Sequence, residues 1–410
     1  MVGPGADCFG DEERFEVLDV LKSGHLSRFG DLDDPAFKHK VFDLEKEFAA
    51  YCGTSHAVAT NSGTSALLLS LLALGIGEGD EVLVPGFTYV ATYAAIIHAR
   101  ATPVLVEIDA SLTIDPDDLE RKVTSRSKAV IVVHMLGNPC DMSAVMAIVE
   151  RHNLSLVEDA CQAAGASFEG HRVGSFGRLA AFSFNRYKMI SAGEGGMTTM
   201  HDERLYERVF ALHDQGHTPL RASKEQTDRS VIGLNLKMNE LTGAVALAQL
   251  RKLDTILTRL RDKKQMLLGL IPELQGVTAR RLNDPSGECA TFFTSLFVDR
   301  THAATTAAAL GVAPLSETGW HNYARMDHVL GHRTHRADWS ERSRYAQPGD
   351  LPQTDDILAR SVNVSIGVVD RGLGSAFGIN IRSDQEEIRS VAQRFVRAVH
   401  SSSQLPRETL

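Results

Sequence analysis

The sequence predicts an α/β chain, with a large, doubly wound, mixed but mostly parallel sheet over residues 1–255 and a smaller α+β domain over 256–410. Three observations lead there. Runs such as Lys128-Ala-Val-Ile-Val-Val-His134 and Leu154-Ser-Leu-Val-Glu158 are apolar and β-branched, as in strands covered on both faces. Between such runs lie segments with apolar residues at helical spacing, which implies right-handed crossovers between parallel strands. A length of 410 residues exceeds one ordinary domain and buries a large core without staples.

The elements follow in order. Phe42 to Cys52 places Phe42, Leu44, Phe48, Ala49 and Tyr51 at helical spacing. His56–Thr60 is a short strand, and Asn61-Ser-Gly-Thr-Ser65 opens an apolar helix through Leu74. Glu81–Val84 is a strand stopped by Pro85-Gly86, Thr88–Ala99 is a helix, and Pro103–Ile108 is another strand. A long helix from Met238 to about Leu270 carries the chain out of the large domain. Beyond it Thr291–Val298 reads as a strand, Thr305–Leu310 as a helix and Phe377–Ile381 as a strand. Asp384 caps a last helix, Gln385–Val399, whose first turn suits Glu386 and Glu387. Arg333–Asp350 reads as a polar surface loop and Ser401–Leu410 as a frayed tail.

Composition excludes several functions. With 52 acidic against 43 basic residues the net charge is −9, and no lysine/arginine block offers a nucleic acid or an anionic membrane a footing. The longest apolar runs fall short of the ~20 residues a membrane span needs. The N-terminus has no basic segment followed by an apolar one, as a secretory signal would. Five scattered cysteines without a Cys-x-x-Cys pair argue for plain thiols in a reducing cytoplasm. His328 and His332 lie one helical turn apart, a zinc-gripping spacing, but no partner motif accompanies them. A solvated polar helix and loop accounts for them better, and no metal is expected.

Three clusters carry chemistry. Asn61-Ser-Gly-Thr-Ser-Ala66 sits between a strand and a helix, where unpaired backbone N–H groups and small hydroxyls suit a phosphate; a plain helix cap at Ser62 or Thr64 is the alternative. In Leu156-Val-Glu-Asp-Ala-Cys-Gln162, Asp159 follows a buried strand at the sheet's ligand edge, where a carboxylate asks for a cation such as a protonated pyridine nitrogen; a helix cap or a salt bridge is the alternative. In Phe182-Ser-Phe-Asn-Arg-Tyr-Lys-Met-Ile-Ser-Ala-Gly-Glu-Gly-Gly196, Lys188 precedes a glycine-rich turn; its amine can form a Schiff base, and Gly193, Gly195 and Gly196 permit tight turning and close approach. The order is phosphate cradle, then acid, then lysine.

Through these motifs, and through Ile232-Gly-Leu-Asn-Leu-Lys-Met-Asn-Glu-Leu241, the chain from about Val17 to Val399 resembles the DegT/DnrJ/StrS group of fold-type I, pyridoxal-phosphate-dependent sugar and cyclitol aminotransferases. The resemblance implies that Lys188 binds the cofactor as a Schiff base and shuttles the proton between substrate and cofactor. It implies that Asp159 keeps the pyridine nitrogen protonated, that Gln162 contacts the phenolic-oxygen side, and that Gly63, Thr64, Ser65 and Ser183 hold the phosphate. Tyr89 falls where the family stacks an aromatic ring on the cofactor; core packing is its alternative. Asn235 matches a residue that reaches the phosphate from the neighbouring subunit, which implies a homodimer with a shared site. Lys237 stands where arginine is frequent and cannot give that bidentate grip; Cys161 stands where alanine is common and is assigned no role. Asn185, His321 and Tyr323 fall near segments from which relatives contact substrate.

The implied activity is transfer of an amino group from L-glutamate or L-glutamine to a keto-sugar or keto-cyclitol, the cofactor alternating between pyridoxal and pyridoxamine phosphate, with the small domain able to close over the substrate. A branch that replaces the lysine by histidine dehydrates sugars; Lys188 argues against that. Two alternatives stay open: a dehydratase similar to 3-amino-5-hydroxybenzoate synthase, and a non-catalytic cofactor-binding regulator.

Overall fold

The computed structural model describes residues 3–31, 33–219, 231–335, 345–369 and 371–403. Its main sheet contains β1 (His56–Thr60), β2 (Glu81–Pro85), β3 (Thr102–Val106), β4 (Ser127–Val133) and β5 (Ser155–Asp159). A two-stranded hairpin follows, β6 (Ser167–Phe168) with β7 (His171–Arg172), and then β8 (Leu179–Ser183) and β9 (Gly196–Met200) complete the main sheet. Its order is β1-β9-β8-β5-β4-β2-β3, and only β9 runs against the rest. The sheet is thus mixed and mostly parallel, as expected.

Helices cover both faces. They are α1 (Pro4–Asp7), α2 (Asp11–Ser23), α3 (Lys40–Cys52), α4 (Gly63–Ala73), α5 (Val90–His98), α6 (Pro116–Lys122), α7 (Met142–Arg151), α8 (Glu203–His213) and α9 (Glu240–Leu268). Strand alternation explains why both faces are apolar: Ala129, Ile131 and Val133 of β4 join one core cluster, and Val130 and Val132 join another. The β1–α4 turn is shaped by Ser62, whose side chain accepts the Ser65 N–H at 3.1 Å.

A second sheet, β10 (Val277–Ala279), β11 (Phe292–Phe297) and β12 (Ser361–Ser365), is antiparallel in that order. Around it lie α10 (Arg300–Leu310), α11 (Asp327–Leu330), α12 (Pro352–Ala359) and α13 (Gln385–Ser403). The two sheets are joined by α9, a continuous 29-residue helix that Asn239 caps and that buries Leu247, Leu250, Leu253, Ile256, Leu257 and Leu260 along one face. Residue 255, the expected domain boundary, lies inside that helix.

Some elements differ from expectation. Phe377–Ile381 alternates correctly, with Phe377, Ile379 and Ile381 buried, but it makes a single parallel bridge from Gly378 to Ser365 instead of a strand. Gly378 has φ 147°, and a Cβ there would lie 2.2 Å from the Ser365 carbonyl oxygen, so the close approach bends the segment. Helix α10 begins at Arg300, ahead of Thr305, because Asp299 accepts the His302 N–H at 2.7 Å. The last helix continues through Ser403, so Ser401–Ser403 are not a tail; 404–410, and 336–344 of the expected surface loop, lie outside the described residues.

Candidate active site

A cavity of about 520 Å³ opens at the carboxyl ends of β1, β2, β4, β5 and β8, the usual ligand edge of such sheets. One wall comes from the second sheet and later loops: Thr291, Phe292, Trp320, His321, Val368 and Leu373. Into this space the fold brings Gly63, Thr64, Tyr89, Asp159, Gln162, Ser183, Asn185, Lys188 and His321. Ser65, Asn235 and Tyr323 do not line it.

The residues expected to cradle a phosphate lie at the start of α4. Gly63 and Thr64 face the cavity, while the Ser65 hydroxyl turns back to Asn61 Oδ1 at 2.6 Å and Ser62 Oγ at 2.9 Å. A Cβ on Gly63 would stand 2.8 Å from Ser183 Cβ and 3.0 Å from Cys161 Sγ, so glycine lets the helix start press against β8. The close approach that the lysine motif's glycines allow is to this same turn: a Cβ on Gly196 would lie 2.5 Å from the Ser62 carbonyl carbon.

Glu158 and Asp159 are adjacent on β5 and so point to opposite faces. Glu158 is fully buried and structural, accepting from Gly174, Phe176 and Gly177 N–H groups at 2.7, 2.9 and 2.7 Å and from His134 Nε2 at 3.1 Å. Asp159, 4% exposed, faces the cavity; Oδ1 accepts the Cys161 N–H at 3.1 Å and Oδ2 accepts the Thr92 hydroxyl at 2.8 Å. Thr92 is in turn 2.7 Å from the Thr88 hydroxyl. These two buried threonines, one turn apart, escaped the sequence reading, although Phe-Thr-Tyr-Val-Ala-Thr92 displays them at i and i+4.

Lys188 lies on an irregular loop after β8, closed by its own N–H to Asn185 O at 2.9 Å. Among the described residues no side-chain hydrogen bond or ion pair engages its amine. Asn185 donates to Glu194 at 3.3 Å, and Gln162 Oε1 accepts the Leu136 N–H at 3.1 Å, which leaves the Gln162 amide N–H groups for the cavity. Tyr89 is 43% exposed at the cavity rim, 5.3 Å from the His321 ring, so core packing is not its role. Burial, reinforced by the Lys188 charge, holds His321 neutral with a pKa of about 3. Burial and the Asp159 carboxylate push the Cys161 thiol well up, which keeps it a thiol.

Three further residues lie outside this cavity. Tyr323 is buried, its hydroxyl 3.1 Å from Asp355 and accepting the Leu351 N–H at 3.0 Å; it ties loops together behind the wall. Lys237 is 2.5 Å from the buried Asp214 carboxylate, which takes its charge. Asn235 is exposed, bridged to Asp214, and flanked by the exposed Leu234 and Ile232. Of the two spaced histidines, His328 is exposed and His332 is buried. Trp320, 56% exposed on the rim, had no signal beyond its neighbour His321.

Comparison with known proteins adds to this geometry. The model of the DegT/DnrJ/EryC1/StrS aminotransferase family matches residues 7–369. GDP-perosamine synthase of Caulobacter vibrioides is 40% identical over 243 residues, covering 59% of this chain and 62% of that protein. A Streptomyces venezuelae dTDP-3-amino-3,4,6-trideoxy-alpha-D-glucose transaminase is 42% identical over 214 residues, 52% of this chain and 55% of that protein. The matched stretch spans about three fifths of the length of such curated relatives. Among solved structures, 3-amino-5-hydroxybenzoic acid synthase superposes with a TM-score of 0.80 at 28% identity, covering 96% of this chain and 97% of that one. DesV of S. venezuelae gives 0.75 at 30% identity, covering 97% and 95%.

Proposed function

Because the chain belongs to the DegT/DnrJ/EryC1/StrS aminotransferase family, we propose that it is a pyridoxal-phosphate-dependent enzyme that moves an amino group from L-glutamate or L-glutamine to a keto-sugar or keto-cyclitol. Its architecture is that of fold-type I. The observation that carries the proposal is an amine with no ion-pair partner among the described residues, Lys188, and a buried carboxylate, Asp159, facing one cavity at the carboxyl edge of the sheet.

The residues present fit the cofactor. The start of α4, with Gly63 and Thr64 and with Ser183 beside it, would hold the phosphate through backbone N–H groups and hydroxyls. When bound, pyridoxal phosphate supplies an electrophilic carbon and an electron-withdrawing ring. Asp159, oriented by Thr92 and the Cys161 N–H, would hold a proton on the pyridine nitrogen. Gln162 would meet the phenolic-oxygen side, and Tyr89 would cover a ring face. Lys188 would anchor the cofactor and would move a proton at the reacting carbon of the substrate. The neutral His321 and the apolar Phe292, Val368 and Leu373 exclude water from that proton transfer.

The exposed run of Ile232 and Leu234 around Asn235 supports a homodimer in which Asn235 serves the partner's site. The five cysteines are all free, in keeping with a reducing cytoplasm, and among the described residues no helix is long and apolar enough to cross a membrane. The test is a half-reaction: loaded with pyridoxal phosphate, the protein should change its cofactor absorbance on adding donor and regain it with a keto-sugar. The likeness to 3-amino-5-hydroxybenzoic acid synthase favours one second reading, a dehydratase. Formation of an aromatic product without any amino donor would select it.

A further inference from the structure

Lys188 has no regular element beneath it. Residues 184–195 form neither strand nor helix, so the backbone polar groups of the lysine loop need partners from elsewhere. Two of them come from the far N-terminus. The Gly3 N–H donates to the Arg186 carbonyl at 2.9 Å, and the Gly5 N–H donates to the carbonyl of Lys188 itself at 3.3 Å. Both glycines are buried, and the contact leaves no room for a side chain. A Cβ on Gly3 would lie 2.2 Å from the Tyr187 carbonyl, and one on Gly5 would lie 2.6 Å from Met189 O and 2.8 Å from Ser191 N.

Behind the loop stands Gln249 of α9, fully buried. Its Oε1 accepts the Ser191 N–H at 3.3 Å, and its Nε2 donates to Glu13 Oε1 at 2.6 Å. Glu13 is held by Lys252 at 2.6 and 2.7 Å and by the Gly10 N–H at 2.7 Å. Gly3, Gly5, α2 and α9 therefore grip the loop on both sides of the Lys188 side chain, at Arg186, Lys188 and Ser191.

We propose that the segment Gly3–Gly5, backed by the Gln249–Glu13 pair, is a positioning strut that sets the reach of Lys188 into the cavity. None of these residues touches the cavity, so they act through the lysine backbone alone. The inference rests on the proton-transfer role given above to Lys188.

Gly5→Ala inserts a methyl where there is no space and must displace the loop by tenths of an ångström. Misplacement on that scale should lower kcat by roughly tenfold to a hundredfold. KM for donor and acceptor should stay within about threefold, because most of the cavity lining comes from other elements. Gln249→Glu keeps the acceptor for Ser191 but opposes Glu13; the swapped pair Glu13→Gln/Gln249→Glu restores a donor and an acceptor and should recover part of kcat. Trypsin cleavage of the cofactor-free protein reads the loop without any turnover: cleavage after Arg186 and Lys188 should rise in Gly5→Ala, while cleavage after the exposed Arg100 should not. Unchanged kcat in Gly5→Ala and Gln249→Glu refutes the proposal. So does cleavage that rises equally at all three sites, since that marks general loosening. Should the wild-type protein turn over no donor, the role of Lys188 fails by itself; equal cleavage of wild type and Gly5→Ala then refutes the strut separately.

Discussion

Glu158 and Asp159 are neighbouring carboxylates, and isosteric removal of each charge should give opposite results. In Glu158→Gln one side-chain oxygen becomes an NH2 group. The native Oε1 accepts two backbone N–H groups, and Oε2 accepts one N–H and the His134 ring. Because His134 Nδ1 accepts the Cys140 N–H at 3.0 Å, its proton sits on Nε2 and cannot be withdrawn to relieve the clash. Either orientation of the amide then leaves two buried donors facing a donor. At about 1–3 kcal/mol for each unsatisfied group the cost to folding is about 2–6 kcal/mol. Asp159→Asn is different. Its oxygen can still accept the Cys161 N–H, and its NH2 can donate to the Thr92 hydroxyl, which is free to rotate. Stability should change by less than about 1 kcal/mol. Catalysis should suffer instead, since leaving a buried cation without its partner costs about 3–5 kcal/mol, a hundredfold to several-thousandfold in kcat. Urea denaturation followed by circular dichroism, beside steady-state kinetics, measures both effects. Asp159→Asn with normal kcat, or Glu158→Gln with wild-type stability, would refute the division of labour.

Three further outcomes are expected. Lys188→Ala should abolish the donor-induced absorbance change while leaving the urea midpoint near wild type; retained turnover would contradict its role. Gly63→Ala forces a methyl against Ser183 and Cys161 at the start of α4, so cofactor affinity should fall by roughly tenfold or more, read by fluorescence titration. His213, buried beside Arg28 at 3.0 Å, has its pKa lowered from 6.5 to about 3 by burial and by that guanidinium. Its depressed folded pKa contributes stability that is complete above pH 6.5 and is lost as pH falls towards 3, on the order of 5 kcal/mol in all. His213→Gln should therefore flatten the acid limb of the stability profile, and an acid limb as steep as wild type would exclude His213 as its source.

Much of the large sheet was legible because its strands are apolar on both faces and its turns are punctuated by Pro85-Gly86 and by capping residues such as Asn239. Two of the strands with no apolar pattern, β9 (Gly-Met-Thr-Thr-Met) and β12 (Ser-Val-Asn-Val-Ser), hide buried hydroxyl and amide groups behind polar letters. Asn363 of β12 accepts from Thr294 at 2.6 Å and donates to Leu373 O at 3.0 Å, and Thr199 of β9 donates to Gly174 O at 2.8 Å, inside the core, which no hydropathy pattern reveals. In the site, Lys188, Asp159 and the α4 turn were readable because their chemistry is bound to local motifs. Thr92 and the Gly3–Gly5 contact were not, because each acts through a partner 67 or more residues away, as with Thr92 and Asp159. Tyr323 misled for the converse reason: a polar aromatic near a substrate segment reads the same whether its hydroxyl faces ligand or, as here, Asp355.

The unbroken course of α9 bears on how the molecule can move. A hinge at residue 255 would have to break several consecutive i to i−4 bonds in a helix whose inner face is packed throughout. The small sheet and the floor of the lysine loop, where Gln249 sits, are therefore mounted on one stiff lever. Any closing of the cavity falls to the segments that carry Trp320, His321 and Leu373, and a displacement of the small sheet large enough to tilt that lever would be felt first at Ser191, three residues from Lys188.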